Sequence, residues 1–378
     1  IMNDIYIHNY LRKKSIHHYG APHKKNKNKK YIFTINIPCY NEFEYLFDTL
    51  DSIDKQDKKI LKKTLVTIVI NNANNDSDLI KKNNYNTYKL LITKKYNFDF
   101  IAIDCFSKKY ALNEKIAGVG YARKIGLDYS LNHIVDHKSI LCLLDADTII
   151  DKNYLSTIKT NFNQNMDVVV INFKHQKSNN PIIEEGIRKY ENTIKKIAKK
   201  IDNTGSPYGY VSMGSTIVCN AKSYIACGGM NTKKATEDFY FLQALAKYAK
   251  IHKIEEMLVF PSSRNENRVY LGTGFRMDEY VKNKKFKNLE FSNESYIQIS
   301  KLIKIIDKNW NKDSECIFDL IKKKLNQKCI NFLVDKNIQE ILNKFKKNAK
   351  NKNQFILFFH QWFDALSIMK LLKSINQM

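Results

Sequence analysis

Five apolar residues, Ile140 to Leu144, run without a break into Asp145-Ala146-Asp147. An uninterrupted apolar run of that length fits a strand buried on both faces, as in a parallel sheet. The two carboxylates then fall at or just past its C-terminal end. In open α/β sheets that edge is where ligands bind. On an extended chain, residues i and i+2 point the same way, roughly 6–7 Å apart. Carboxylates so placed repel unless something positive sits beside them. A hard divalent cation shared with phosphate oxygens meets that need. A purely structural role competes: Asp147 or Asp151 would cap the N-terminus of a helix expected over Tyr154–Phe162.

The rest of the chain sets the context. Tyr31–Ile37 reads as a strand ending at Pro38, and Asn41 with Glu44 forms a capping-box pattern. Leu46, Leu50 and Ile53 mark the apolar face of the helix that follows. Further strands are expected at Leu65–Ile70, Phe100–Ile103 and Val168–Phe173, with a helix opened by Gly118-Val119-Gly120. Strands alternating with helices imply a parallel, doubly wound sheet. After residue 175 come an amphipathic helix marked by Ile183, Ile187, Tyr190, Ile194, Ile197 and Ile201, and the Gly- and Ser-rich loop Thr204–Gly214. A strand (Ser215–Cys219), a short helix (Ala221–Cys227) and the turn-forming pair Gly228-Gly229 follow. Thr236-Glu237-Asp238 starts another helix, and Glu256–Phe260 another strand. That strand leads to Pro261-Ser262-Ser263-Arg264 and a loop at Leu271–Phe275. From about residue 280 the apolar stripes are all helical, ending with the bulky segment Phe355–Leu372. Residues 1–30, polar and basic, read as a mostly irregular lead-in.

Composition bounds the class. The chain has 378 residues, 43% hydrophobic and 27% charged, as a globular protein has. Its 63 basic and 38 acidic residues give +25, a charge suited to a polyanionic partner. A solvated surface from Lys-, Asn- and Ile-rich coding competes with that reading. Seven cysteines (39, 105, 142, 219, 227, 316 and 329) form no C-x-x-C pair. They fit reduced, buried thiols of a cytoplasmic protein better than a disulfide frame or a zinc site. No run of 18 apolar residues suggests a membrane span, and the N-terminus has no apolar signal core. Interfacial contact through the basic helical C-terminal region stays open.

Three separated features coincide: Ile37-Pro38-Cys39-Tyr40-Asn41-Glu42, Leu143-Leu144-Asp145-Ala146-Asp147, and Gly228-Gly229-Met230 followed by Thr236-Glu237-Asp238. Their order and spacing resemble family 2 glycosyltransferases of the GT-A fold, over roughly residues 31–275. Ala122-Arg123 with Gly126, and Asp151 with Leu155, fit the same pattern. The resemblance implies an α/β, GT-A Rossmann-like, mostly parallel sheet flanked by helices. Its nucleotide-binding half would span 31–175 and its acceptor half 176–275, followed by an all-helical region at 276–378. It implies an inverting transfer of a sugar from a nucleotide-diphosphate donor, with Mn²⁺ or Mg²⁺, to a hydroxyl of a glycan or lipid-linked acceptor.

Carried onto this chain, the loop Pro38, Tyr40, Asn41 and Glu42 would cradle base and ribose, and Asp76 would reach the base. Asp145 would contact ribose or metal, Asp147 would ligate the cation, and Asp238 would be the base, with Glu237 the alternative. Arg123 and Lys124 would bind phosphate or merely flank a helix. Arg264 and Arg268 would meet diphosphate or an anionic acceptor, and His252 and His360 are candidate extra ligands. Family members often carry Asp after the second strand, where this chain has Asn71 and Asn72. An amide there can still bond a base edge. Thr236-Glu237-Asp238 also reads as a helix cap with two dipole-matched acids, and a helix N-terminus favours the carboxylate form. That weakens Asp238 as a base.

Two rivals remain. A sugar-phosphate nucleotidyltransferase would need a Gly-rich basic loop after the first strand, and Pro38-Cys39-Tyr40-Asn41 has none. A non-enzymatic polyanion-binding protein would rest on charge alone, with no recognised nucleic-acid motif. The sequence leaves oligomeric state open.

Overall fold

A computed structural model describes residues 2–24, 29–265 and 272–376. Arg268 and Leu271 lie outside the described residues. The chain divides into two compact units. One comprises 1–187 and 212–284, the other 188–211 and 285–378. The division falls inside the helix Pro181–Asp202 and between residues 284 and 285.

The first unit is built on one sheet of nine strands: β1 (Ala21–Pro22), β2 (Phe33–Cys39), β3 (Thr64–Asn71), β4 (Asp99–Cys105), β5 (Ile140–Leu143), β6 (Ile149–Ile150), β7 (Val168–Phe173), β8 (Ile217–Asn220) and β9 (Ile251–Phe260). Their spatial order is β1-β4-β3-β2-β5-β8-β7-β9-β6. The long ladders β2–β3, β3–β4 and β7–β9 are parallel, as is β2–β5. β1, β6 and β8 add short antiparallel edges and joints. β2, β3 and β5 are buried throughout; β5 is an unbroken apolar run, as a strand covered on both faces is, whereas β2 and β3 also bury polar residues, Thr34, Asn36 and Thr67 among them.

β2 has β3 on one side and β5 on the other, so the chain reverses direction across the sheet at β2/β5. Such a switch point opens a crevice beyond the strand C-termini. Pro38 does not end β2, which runs on to Cys39 beside β3. The ladder to β5 stops at Asn36↔Leu143, so Pro38, which has no N–H, lies where pairing on that side has ceased. The helix Val119–Ser130 covers β2 and β3, burying Tyr121, Ala122 and Ile125 against Leu65, Val69 and Ile101. Close approach needs Gly126: a Cβ there would lie 1.7 Å from Asn36 Nδ2.

The N-terminal lead-in is not irregular. It holds a helix, Met2–Lys13, and β1, which pairs with β4. Its polar composition hid two apolar anchors, Ile7 and Tyr10, both buried. The capping box at Asn41 and Glu44 does not form. The helix Leu46–Asp54 starts after Tyr45, and Asn41 takes a left-handed backbone with φ 59°. Leu271–Phe275 is not all loop either, because a helix begins at Thr273.

The second unit is helical: Asn293–Lys308, Ser314–Lys324, Gln327–Asp335, Ile338–Asn348, Lys352–Trp362 and Ala365–Asn376, with the end of Pro181–Asp202. Ile299, Leu302, Ile306, Ile317, Ile321, Leu333 and Leu342 bury the stripes seen in the sequence. Phe355–Leu372 is two helices bent by 61°, whose Phe355, Phe359, Phe363, Ile368 and Leu371 are buried in this unit. Among the described residues no single helix is long and apolar enough to cross a membrane. All seven cysteines are free thiols, five of them buried.

Candidate functional site

The crevice beyond β2 and β5 gathers most of the carboxylates that the sequence singles out. Asp145 and Asp147 do not share one extended strand. β5 ends at Leu143, and a turn follows in which Thr148 N–H donates to the Asp145 carbonyl at 3.2 Å. The turn gives each carboxylate its own arginine.

Asp145 faces Arg123. Its two oxygens are taken by the Arg123 guanidinium and the Ser215 hydroxyl. Arg123 Nε also donates to Glu237 at 3.2 Å. The Arg123 side chain is only 2% exposed, and Gly214 makes room for it: a Cβ there would meet its guanidinium at 2.2 Å. Burial alone would lower the Arg123 pKa, but the carboxylates of Asp145, Glu237 and Asp238 together outweigh it and hold the group above its ordinary value. Engaged on both oxygens, Asp145 positions Arg123, while its side chain stays a third exposed.

Glu237 and Asp238 open the helix Glu237–Tyr248 after Thr236, whose backbone is left-handed at φ 62° and whose side chain caps nothing. The simple cap reading of this triplet therefore fails. Burial, then the neighbouring Asp238 charge, push Glu237 up to about 7 against the pull of Arg123. Asp238 is also raised, first by burial, although Arg123 and the N–H of Phe239 (2.7 Å) favour its charged form. Desolvation thus outweighs the helix N-terminus that made Asp238 look a weak base. Asp238 lies deep among protein atoms yet keeps an accessible face, whereas Glu237 is 5% exposed and clamped by Arg123.

Asp147 faces Arg264. Their N–O distance is 2.9 Å, and the same guanidinium nitrogen lies 2.7 Å from Glu42. Gln176 holds the geometry by donating from Nε2 to the Asp147 and Phe260 carbonyls, at 2.9 and 2.8 Å. This staples the turn after β5 to the end of β9, four residues before Arg264. Among the described residues no three or more His, Cys, Asp or Glu side chains are arranged to hold a metal. A hard divalent cation bound with substrate phosphates needs only one or two carboxylates. Asp147, an oxygen donor 18% exposed at the crevice, is chemically suited to such a cation, and Asp145 lies two residues before it. His252 does not join it: it pairs with Val169 near the start of β9, far along the strand from Phe260. His360 belongs to the second unit, where burial drives its pKa down to about 4.

The nucleotide loop is built by an unforeseen amide. Asn84, fully buried on the helix Asp78–Leu91, accepts from Asn41 N–H at 2.9 Å and donates to the Asn71 carbonyl and to Asn72 Oδ1, both at 3.0 Å. It ties the loop after β2 to the loop after β3. Asn72 is fully buried in the floor of the loop and also donates to the Ala73 carbonyl at 2.9 Å. Asp76 accepts from Ala73 N–H at 2.7 Å and stays partly exposed. Tyr40 is partly exposed at the end of β2, beyond buried Pro38. Lys124 pairs with Asp128 at 3.0 Å and donates to Tyr10 Oη at 2.7 Å. No sequence period marks Asn84 or Ser215. Gly228 and Gly229 do form the expected turn, at φ 87° and 80°.

Residues 34–217 match the model of glycosyl transferase family 2. This segment belongs to that family. The chain thus carries a family 2 glycosyltransferase domain with a GT-A fold. No curated protein sequence matches the chain. Among solved structures, it is similar to residues 1–349 of TarS from S. aureus in complex with UDP-GlcNAc, at 14% identity over 87% of this chain and 90% of that one, TM-score 0.44. It is also similar to the mannosyltransferase PcManGT from Pyrobaculum calidifontis in complex with GDP-Man and Mn²⁺, at 12% identity over 94% and 93%, TM-score 0.44. Glucosyl-3-phosphoglycerate synthase from Mycobacterium tuberculosis matches at 9% identity over 73% and 80%, TM-score 0.38. The family match ends at β8, so Glu237, Asp238 and Arg264 lie beyond it, brought to the crevice by the fold.

Proposed function

We propose that this glycosyltransferase is metal-dependent and inverting, moving a sugar from a nucleotide-diphosphate donor to a hydroxyl of a glycan or lipid-linked acceptor. One observation carries the reading. Two sets of carboxylates meet at the β2/β5 crevice in opposite electrostatic states. Asp147 is ion-paired to Arg264 and 18% exposed at the crevice, and Asp238 is desolvated with a raised pKa. Donor activation needs the first and proton abstraction needs the second.

In this mechanism the loop from Tyr40 to Glu42 seats the nucleoside, and Asp147 holds the divalent cation against the diphosphate. The cation, when bound, neutralises charge that builds on the leaving diphosphate. Asp238 accepts the acceptor hydroxyl's proton as the oxygen attacks the anomeric carbon from the face opposite the leaving group. That approach inverts the configuration. Arg123 fixes Glu237 and Asp145 around the base and keeps it from drifting to full neutrality.

The raised carboxylates set the pH profile. A base with a raised pKa is lost as pH falls through that raised value. The acid limb of kcat should therefore lie above the range of an ordinary carboxylate, because burial raises the Asp238 pKa. A kcat profile from pH 5 to 9 checks this; a flat profile down to pH 5 removes Asp238 from the role.

Donor binding is tested by thermal shift with UDP, GDP and their diphospho-sugars, with and without Mn²⁺. We expect a metal-dependent rise in Tm of several degrees with one base, abolished in Asp147→Asn. A shift with a nucleotide but independent of metal would leave the donor and remove the cation. No shift with any of them would return the chain to the polyanion-binding alternative.

A further inference from the structure

Arg264 joins three elements that lie far apart in sequence. One guanidinium nitrogen is 2.7 Å from Glu42 in the loop after β2 and 2.9 Å from Asp147 in the turn after β5. Its central carbon stands 4.3 Å from the centre of the Tyr45 ring, in cation–π contact. Both acids and the arginine are mostly buried, with side-chain exposures of 7%, 18% and 18%. Two half-buried carboxylates brought to one nitrogen repel each other unless a positive charge stays between them. Among the described residues, Arg264 supplies such a charge to both acids.

We propose that Arg264 is the resident counter-ion of the donor site, standing where the divalent cation would act and yielding only when cation and diphosphate arrive together. The inference rests on the metal-dependent reading above. A cation that approached Asp147 alone would meet a like charge a few ångströms away and would bind weakly. A diphosphate changes the balance. Its oxygens offer the guanidinium a bidentate partner of matching geometry. Arg264 can then leave Asp147 to the cation without any charge losing its partner. The arginine thereby makes cation and nucleotide binding mutually dependent, a coupling that must be equal in both directions.

The test measures Mn²⁺ alone, by the EPR signal of the free ion, on the full chain and on Arg264→Gln, Arg264→Lys and Asp147→Asn. It is then repeated with UDP and with GDP. Wild type should bind Mn²⁺ weakly alone and at least tenfold more tightly with the matching nucleotide. Arg264→Gln should bind Mn²⁺ alone at least tenfold more tightly than wild type and gain little from the nucleotide, which it should itself bind at least tenfold more weakly. Arg264→Lys, which keeps the charge but not the fork, should fall between them and serves if Arg264→Gln does not fold. Equal Mn²⁺ affinities in wild type and Arg264→Gln would overturn the counter-ion role while leaving the metal reading standing. Binding that survives Asp147→Asn would place the ion elsewhere and overturn it too. No Mn²⁺ binding by any form, with or without nucleotide, would overturn the metal-dependent reading and this inference with it.

Discussion

Asp238→Asn should lower kcat by about 10²–10⁴-fold, the usual contribution of a positioned general base, while leaving the fold intact. The amide is isosteric with the carboxylate and keeps an acceptor for the Phe239 N–H, the bond now 2.7 Å long. It also removes a desolvated charge, so Tm should hold or rise slightly. Glu237→Gln supplies the contrast. Glu237 is clamped by Arg123 and only 5% exposed, so no acceptor hydroxyl reaches it directly. Its loss should cost less in kcat but should move the acid limb of the pH profile, since the neighbouring Asp238 and Glu237 charges repel each other. Single-turnover transfer assays with both variants separate the roles. If Glu237→Gln is the dead enzyme and Asp238→Asn the active one, the assignment of the base is reversed.

Much of the frame was legible because it rests on period and burial. β5 and β7 fall where unbroken apolar runs put them, and the helix Pro181–Asp202 follows its isoleucine stripe. The Asp-x-Asp was legible as a site, but its geometry was not. A strand extended through Asp147 would have aimed both acids one way, whereas the turn after Leu143 sends Asp145 to Arg123 and Asp147 to Arg264. Neither pairing has a sequence signature, since 22 residues separate the first and more than a hundred the second. Asn84 and Ser215 escaped for the same reason: polar residues acting through tertiary contact carry no periodic signal. Asp238 was legible as an acid at a helix start, and local rules read it as a weak base. Only the packing around it reverses that sign, because desolvation outweighs the helix dipole there.

The N-terminal helix was misread on composition, and its anchor sets the other large effect expected here. Asp128 is fully buried and accepts from four donors: Tyr10 Oη at 2.9 Å, Tyr224 Oη at 2.7 Å, Ile16 N–H at 2.8 Å and Lys124 Nζ at 3.0 Å. Lys124 also donates to Tyr10 Oη at 2.7 Å. Tyr10 in turn packs on Gly229, where any Cβ would lie 1.8 Å from its hydroxyl. The cluster therefore ties the N-terminal helix to the helix bearing Arg123 and to the turn that leads toward Glu237. Asp128→Ala would strand a buried ammonium and three further donors. Breaking a buried ion pair from one side costs about 3–5 kcal/mol, which for a unit of this size is a fall in Tm of roughly 6–20 °C. Tyr10→Phe keeps the ring and loses one hydrogen-bonding group, so its cost should be about 1 kcal/mol. Denaturant melts of both variants, with proteolysis of the first twenty residues followed in parallel, check the ranking. Were Asp128→Ala to cost no more than Tyr10→Phe, the cluster would not be what fastens the helix. Its loss should also free residues 2–13 to be cleaved before the sheet unfolds, because no other buried charge holds them among the described contacts.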